Sequence, residues 1–350
     1  MGSKNTFSDR LFKWWDQHGR KDLPWQHPRS PYRVWVSEIM LQQTQVGTVI
    51  PYFERFMGRF PDLATLAAAT QDDVLALWAG LGYYARGRNL HKAARLVMDQ
   101  HGGVLPESAE ELASLPGIGA STANAIVSQA HDIPAVVLDG NVRRVIARHD
   151  AIEGWAGKRP VLKRLWSAAE KRLAPQRAAD YTQAIMDLGA TVCTRTKPDC
   201  AHCPVNSDCR AYQADTINCF PTPRPKLNIR EKDLHMLIVT RPDGSILLER
   251  RPPAGIWGGL WSLPEAESLD ALAQQVGISQ DLLTPLPDFE HRLTHIKLNI
   301  RPQLARSEPA ALKVECSEGK RWFGGDEWPL LGLPQPVLGL LQRNLHGDNA

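Results

Sequence analysis

The 350-residue sequence predicts a multi-domain protein: an all-α amino-terminal part followed by a smaller α+β domain. Three observations carry this. From Phe7 to Cys209 apolar side chains recur at helical spacing between Gly and Pro turns. Pro221, Pro223 and Pro225 then alternate with Arg224 and Lys226 in a segment that cannot be regular helix. Beyond it the period changes, and Ile296, Leu298 and Ile300 alternate as strand residues do.

Composition narrows the function classes. With 43% hydrophobic and 23% charged residues the chain is ordinary globular protein, long enough for two or three compact units. A net charge of +3 means that nucleic-acid affinity must come from where the basic residues sit, not from their excess. Four of the six cysteines crowd together, leaving Cys219 and Cys316, which suggests a reducing compartment rather than a disulfide framework. No run of about 18 apolar residues exists and the amino terminus lacks a hydrophobic signal region, so a cytosolic protein without membrane association is expected.

In order, Phe7, Leu11, Trp14 and Trp15 define a first helix that stops at Gly19. Leu23 to Pro31 reads as a loop and Tyr32 to Gln42 as helix. There Glu38 shares a face with Val34, Trp35, Leu41 and Gln42. A carboxyl held among such neighbours loses water, which raises its pKa and suits it to carry a proton near neutrality; a solvated glutamate is the other reading. Gln42 to Gln45 forms a polar knot whose amides could address base edges or form a solvated turn, and another helix runs to about Phe56.

Short helices follow over 62–69, 72–78 and 84–101, with the turn Gly80-Leu81-Gly82 ahead of Tyr83, Tyr84, Arg86 and Arg88. Exposed aromatics beside arginines suit stacking and phosphate pairing; buried tyrosines under a solvated basic face are the alternative. A helix over 107–114 meets Leu115-Pro-Gly-Ile-Gly119, and the next begins near Ala120. Gly117 and Gly119 permit left-handed backbone and close approach, and the amides opening the second helix form an anion site. This is a helix-hairpin-helix, although any Pro-Gly turn between helices is partly similar.

The apolar run 134–138 ends at Asp139, which opens a basic helix carrying Arg143, Arg144 and Arg148. Asp139 can be its N-cap, a catalytic carboxylate, or both. Helices over 161–173 and 178–189 lead to Cys193, Cys200, Cys203 and Cys209, in the pattern C-x6-C-x2-C-x5-C. Only one pair has the short knuckle spacing usual for structural zinc, and four thiolates are the usual ligands of a [4Fe–4S] cluster. A zinc knuckle or four unrelated thiols stay open on spacing alone. In the last domain, strands over 235–240 and 246–250 flank the turn Arg241-Pro-Asp-Gly, with helices over 271–276 and 337–345.

The ordered set of Leu115-Pro-Gly-Ile-Gly, Asp139 and the four cysteines resembles the helix-hairpin-helix, iron-sulfur DNA glycosylases of the endonuclease III superfamily. Ser37-Glu-Ile-Met-Leu-Gln-Gln-Thr44, Gly80-Leu-Gly-Tyr-Tyr-Ala-Arg86, Leu138-Asp-Gly-Asn-Val142 and Met186-Asp-Leu-Gly-Ala190 are similar to the adenine DNA glycosylase (MutY) branch. The resemblance runs nearly continuously over residues 10–210. It implies a six-helix barrel domain over 22–133, an iron-sulfur cluster domain from 1–21 and 134–216, a linker over 217–232 and a MutT-like (Nudix-fold) lesion-recognition domain over 233–346.

The implied reaction is hydrolysis of the N-glycosidic bond of adenine opposite 8-oxoguanine or guanine in double-stranded DNA. Adenine leaves poorly until its N7 is protonated, so Glu38 matches the acid. Asp139 matches the carboxylate that stabilises or traps the oxocarbenium-like sugar. The cysteines would hold a [4Fe–4S] cluster. Gln43 and Tyr83 would wedge at the lesion with Gln42 nearby, and the Gly117 and Gly119 amides would hold phosphate. Arg86, Ser121, Asn141, Arg143, Thr294 and His295 complete the expected DNA-binding set.

Relatives that also cut the strand carry a Schiff-base lysine where Ser121 stands, so no substantial lyase activity is expected. A Nudix box begun at Gly259 places Glu265 correctly but puts Ala273-Gln274 on metal-binding positions, so no Mg2+ cage is expected. The loop that the family writes Phe-Ser-His reads Leu293-Thr294-His295, keeping the hydroxyl and losing the aromatic. The rival readings are a bifunctional endonuclease III-like enzyme for oxidised pyrimidines and a non-catalytic iron-sulfur DNA-binding module. A monomer is expected, cytoplasmic and nucleoid-associated if bacterial, with other repair proteins as possible partners.

Overall fold

The computed structural model describes residues 5–225, 229–306 and 319–345. Lys226 and Cys316 lie outside them. The helices are α1 (Phe7–His18), α2 (Pro31–Leu41), α3 (Val46–Arg59), α4 (Leu63–Ala68), α5 (Gln71–Trp78), α6 (Ala85–Gln100), α7 (Ala109–Ser114), α8 (Ala120–His131), α9 (Gly140–His149), α10 (Arg159–Glu170), α11 (Ala178–Asp187), α12 (Arg210–Gln213), α13 (Leu269–Val276) and α14 (Gln335–Leu345). Among the described residues, none is long and apolar enough to cross a membrane.

The chain divides into two compact units, one of residues 1–68 with 89–225, the other of 69–88 with 226–350. In the first unit local chemistry starts the helices. The Thr6 hydroxyl accepts the Asp9 amide while the Asp9 carboxylate accepts the Thr6 amide, and Ser30 caps α2 with Pro31 in its first turn. Phe7, Leu11 and Trp15 of α1 join Val142, Val145 and Ile146 of α9, Val161 and Leu165 of α10, and Tyr181 and Ile185 of α11 in one buried core. That core fixes α9, whose amino-terminal end carries Asp139. Helix α2, bearing Glu38, packs on α8. The stretch 134–138, expected to be extended, forms no strand, and α11 widens into a π-helical turn at Leu188–Val192.

The second unit holds a mixed sheet of β1 (Arg230–Thr240), β2 (Ile246–Arg250), β3 (Trp261–Ser262), β4 (Glu265–Ala266), β5 (Thr284–Pro285), β6 (Phe289–Arg292), β7 (Ile296–Arg306) and β8 (Lys320–Phe323). Its main path runs β3-β2-β1-β7-β5. The expected β1–β2 hairpin forms, and β1 runs parallel to β7 along its whole length. Met236 to Val239 are fully buried, as befits a central strand covered on both faces. Strand β1 begins at Arg230, inside the expected linker. Residues 69–88, expected within the barrel, group with this unit; among the contacts, Asp72 of α5 accepts from the Arg250 guanidinium at 2.7 Å and from Trp261 Nε1 at 3.4 Å.

Candidate active site

Glu38 and Asp139 line one cavity of about 870 Å3 in the first unit, together with Gln42, Gln43, Ser121, Asn141 and Arg143. Glu38 lies mid-helix, partly buried beside Val34 and Trp35. Gln129 of α8 donates Nε2–H to its Oε1 at 2.9 Å. Lost hydration first, and the nearby Asp139 charge second, lift the Glu38 carboxyl to about 7, against the pull of that one hydrogen bond. Near neutral pH the group is therefore a proton carrier.

Asp139 is the N-cap of α9. Its Oδ1 accepts the Val142 amide at 2.7 Å, and its Oδ2 accepts Asn141 Nδ2–H at 3.2 Å. Burial lifts its carboxyl above the ordinary value, while these donors and the Arg144 charge hold it back. Arg144 in turn donates to Asn141 Oδ1 (2.9 Å), the Gly189 carbonyl (2.5 Å) and the Cys193 carbonyl (2.7 Å). Gly189 sits so close beneath that an added Cβ would lie 2.6 Å from Asn141 Cβ and 2.9 Å from its backbone. The Ser121 hydroxyl accepts the Leu138 amide at 3.0 Å, holding the chain just ahead of Asp139. Ser121 and Asn141, both expected to face DNA, are thus committed to placing the carboxylate. Arg143 lines the cavity and donates Nη2–H to the Leu138 carbonyl at 3.5 Å.

In the hairpin, Leu115 and Ile118 are buried and Gly117 and Gly119 exposed. Gly117 has φ +82° and a Cβ there would meet Asn89, so glycine is required. Gly119 differs from the expectation: its φ is −92° and a Cβ would meet nothing. No side chain caps α8, which leaves the start of the helix without a side-chain acceptor, as an anion site requires. Gln42 donates to Thr122 Oγ1 at 3.3 Å, and exposed Gln43 holds φ +61°.

In the second unit Tyr83 is 46% exposed with φ +49°, and its hydroxyl lies 3.3 Å from that of Thr294. Non-glycine residues at positive φ are uncommon and cluster at functional sites, and both expected wedge residues have it. Thr294 and His295 are exposed at the tip between β6 and β7. Arg86 corrects the expectation of an exposed phosphate-binding cation. It is only 8% exposed and donates to the Leu81 and Gly82 carbonyls, so it braces the turn that carries Tyr83. Tyr84 is buried as well.

Cys193, Cys200, Cys203 and Cys209 line a single small cavity walled by Val145, Leu188, Val192, Val205 and Ile217. Burial, with the neighbouring sulfurs adding to it, pushes the Cys203 thiol up to about 12 and raises Cys200 and Cys209 as well. A bound cationic centre reverses that balance and deprotonates its thiols outright. Among the described residues, no three His, Cys, Asp or Glu side chains are gathered tightly enough to hold one ion. The four sulfurs and the apolar wall are a donor set whose chemistry fits a thiolate-bound metal group.

Three residues that matter here are not marked as functional by the sequence. Gln129 belongs to no motif and is found only by folding α8 onto α2. Gly189 and Arg144 act through the turn after α11, and only the Met186–Ala190 motif hinted at it.

Comparison with known proteins identifies the two domains and the family. A family model described as "HhH-GPD superfamily base excision DNA repair protein" matches residues 36–171, and a NUDIX domain model matches 235–343. The solved structure of a thermostable thymine-DNA glycosylase aligns with TM-score 0.54 at 27% identity, covering 59% of this chain and 95% of that one. An endonuclease III–DNA complex aligns with TM-score 0.51 at 22% identity, a likeness of fold. Fold and site thus define a helix-hairpin-helix DNA glycosylase, a hydrolase of the N-glycosidic bond. An adenine DNA glycosylase of Buchnera aphidicola subsp. Baizongia pistaciae is 34% identical over 342 residues, 97% of this chain and 96% of the relative. The mouse adenine DNA glycosylase is 36% identical over 92% of this chain and 75% of its own length. The chain belongs to the adenine DNA glycosylase family.

Proposed function

We propose that the protein removes adenine mispaired with 8-oxoguanine or guanine from double-stranded DNA, by hydrolysis and without cutting the strand. The observation that carries this reading is a carboxyl poised near 7 beside a hydrogen-bonded second carboxylate in one cavity. The target nucleotide must be extruded at a cost of about a few kcal/mol, less at a mispair. Glu38 gives its proton to adenine N7. The C1′–N9 bond then breaks with its electron pair leaving on the purine. The sugar cation faces Asp139, water adds at C1′, and the released proton returns to Glu38. Ser121 leaves no amine in position for a Schiff base.

Gly117, Gly119 and the first α8 amides hold phosphate in this reading. Gln43 and Tyr83 fill the gap left by the base, and Thr294 and His295 address the opposite purine. Cys193, Cys200, Cys203 and Cys209 would hold a [4Fe–4S] cluster, which supplies cross-linking and a redox-active centre, not a bond-making step. The test is single-turnover release of adenine from duplexes with 8-oxoguanine, guanine or thymine opposite, with borohydride present. Release from the first two and no trapped adduct is expected; equal release opposite thymine, or a trapped adduct, overturns the reading.

A further inference from the structure

Arg148 lies on α9, one turn beyond Arg144 and outside the cavity of Glu38 and Asp139. It is 2% exposed. Its Nε–H donates to the Phe220 carbonyl at 3.0 Å and its Nη2–H to the Arg195 carbonyl at 3.1 Å. Its Nη1–H groups reach the Thr194 carbonyl at 2.7 Å and Cys193 Sγ at 3.3 Å. Its own carbonyl lies 3.6 Å from Cys209 Sγ. Three carbonyls explain a clamp on the loop, but not a full positive charge. Among the described residues no carboxylate forms an ion pair with Arg148, and a buried cation without an anionic partner is strongly disfavoured. The acceptor able to carry that negative charge is Cys193, once its sulfur is a thiolate.

We propose that Arg148 is a positioning residue that sets the reduction potential of the metal group through its charged N–H···Sγ bond to Cys193. The inference rests on the four thiolates holding an iron-sulfur cluster. Reduction adds an electron to a centre that four thiolates already make negative, and an adjacent buried cation stabilises the more negative state. The guanidinium therefore holds the potential higher than the sulfurs alone would set it. The same contact shields one ligand sulfur from exchange and oxidation.

The experiment uses the full-length chain purified without oxygen, as wild type, Arg148→Lys and Arg148→Gln. Iron and acid-labile sulfide are counted, the midpoint potential is read by protein-film voltammetry, and cluster loss is timed in chelator. A lower potential in both variants is expected, lowest for glutamine, with cluster loss several-fold faster than in wild type. A loaded variant at the wild-type potential overturns the proposal even when adenine release is impaired, because a loop clamp alone would impair release without moving the potential. Should the glutamine variant fail to load, the lysine variant decides, since it keeps the charge but cannot reproduce the forked donors. Wild-type protein holding zinc and no iron would instead remove the cluster reading, and the role of Arg148 with it.

Discussion

Replacing Glu38 by glutamine tests the proton donor twice, once through rate and once through stability. The wild-type carboxyl is lifted from 4.5 to about 7 by burial and by Asp139. Each unit between native and unfolded values corresponds to about 1.4 kcal/mol, so the ionised form costs the fold up to about 3 kcal/mol. The sign follows from where the proton sits. Below 4.5 both states are protonated and there is no penalty; from 4.5 to about 7 only the folded state keeps the proton, so stability falls as pH rises. Above that both are ionised and the full penalty stands.

Glutamine cannot ionise, and its carbonyl can still accept from Gln129. Glu38→Gln should therefore be the more stable protein at alkaline pH, its advantage growing by about 2–3 kcal/mol between about pH 5 and pH 8.5 in urea titrations. Its single-turnover adenine release should fall by at least about 100-fold, the lower range for a lost general acid. In wild type, release should decline as pH rises through about 7. Parallel stability curves for the two proteins, or a wild-type rate that is flat from pH 6 to 9, would refute the reasoning.

Asp139→Asn should keep the cap, since asparagine serves α9 as well as aspartate does, with a stability change within about 0.5 kcal/mol by thermal melting. Adenine release should nonetheless collapse. Because the Asp139 charge is one cause of the raised Glu38 carboxyl, the variant should also titrate Glu38 at lower pH, readable by carboxyl-labelled NMR. Gly189→Ala drives a methyl into Asn141, and a destabilisation of about 1–3 kcal/mol is expected in denaturant titrations. The accompanying rate loss should persist at temperatures where the variant is fully folded, since Asn141 orients Asp139.

Legibility in the sequence followed the range of the interaction. The hairpin, the cap at Asp139 and the four cysteines concentrate their chemistry within a few residues, and apart from the backbone of Gly119 they stand where short-range reasoning put them. Arg86 reads as exposed because arginine usually is, yet the glycine turn before it leaves two carbonyls that only a long donor can reach. The parallel β1–β7 pairing joins strands about sixty residues apart, and Pro302, in phase with the apolar alternation of β7 but unable to donate to a ladder, reads locally as a strand stop. The attachment of residues 69–88 to the second unit runs through pairings invisible to any local window, among them Asp72 with Arg250 and Trp261, Tyr83 with Thr294 and Arg88 with the Gly258 carbonyl.

The same distinction explains how two carboxyls in one cavity take different roles. Burial lifts both. Glu38 has a single amide donor from Gln129, and the helix around it has spent its own backbone N–H groups. Asp139, at a helix start, receives donors that the first turn cannot satisfy internally, and Arg144 adds charge. When one proton is shared between them it therefore resides on Glu38. Leaving the second group as an anion then makes ionisation of the first harder still, so the pair titrates as a unit with its acid and its anion already assigned. Mid-helix against helix start is a difference in backbone position, and it needs no special side chain to set acid apart from anion.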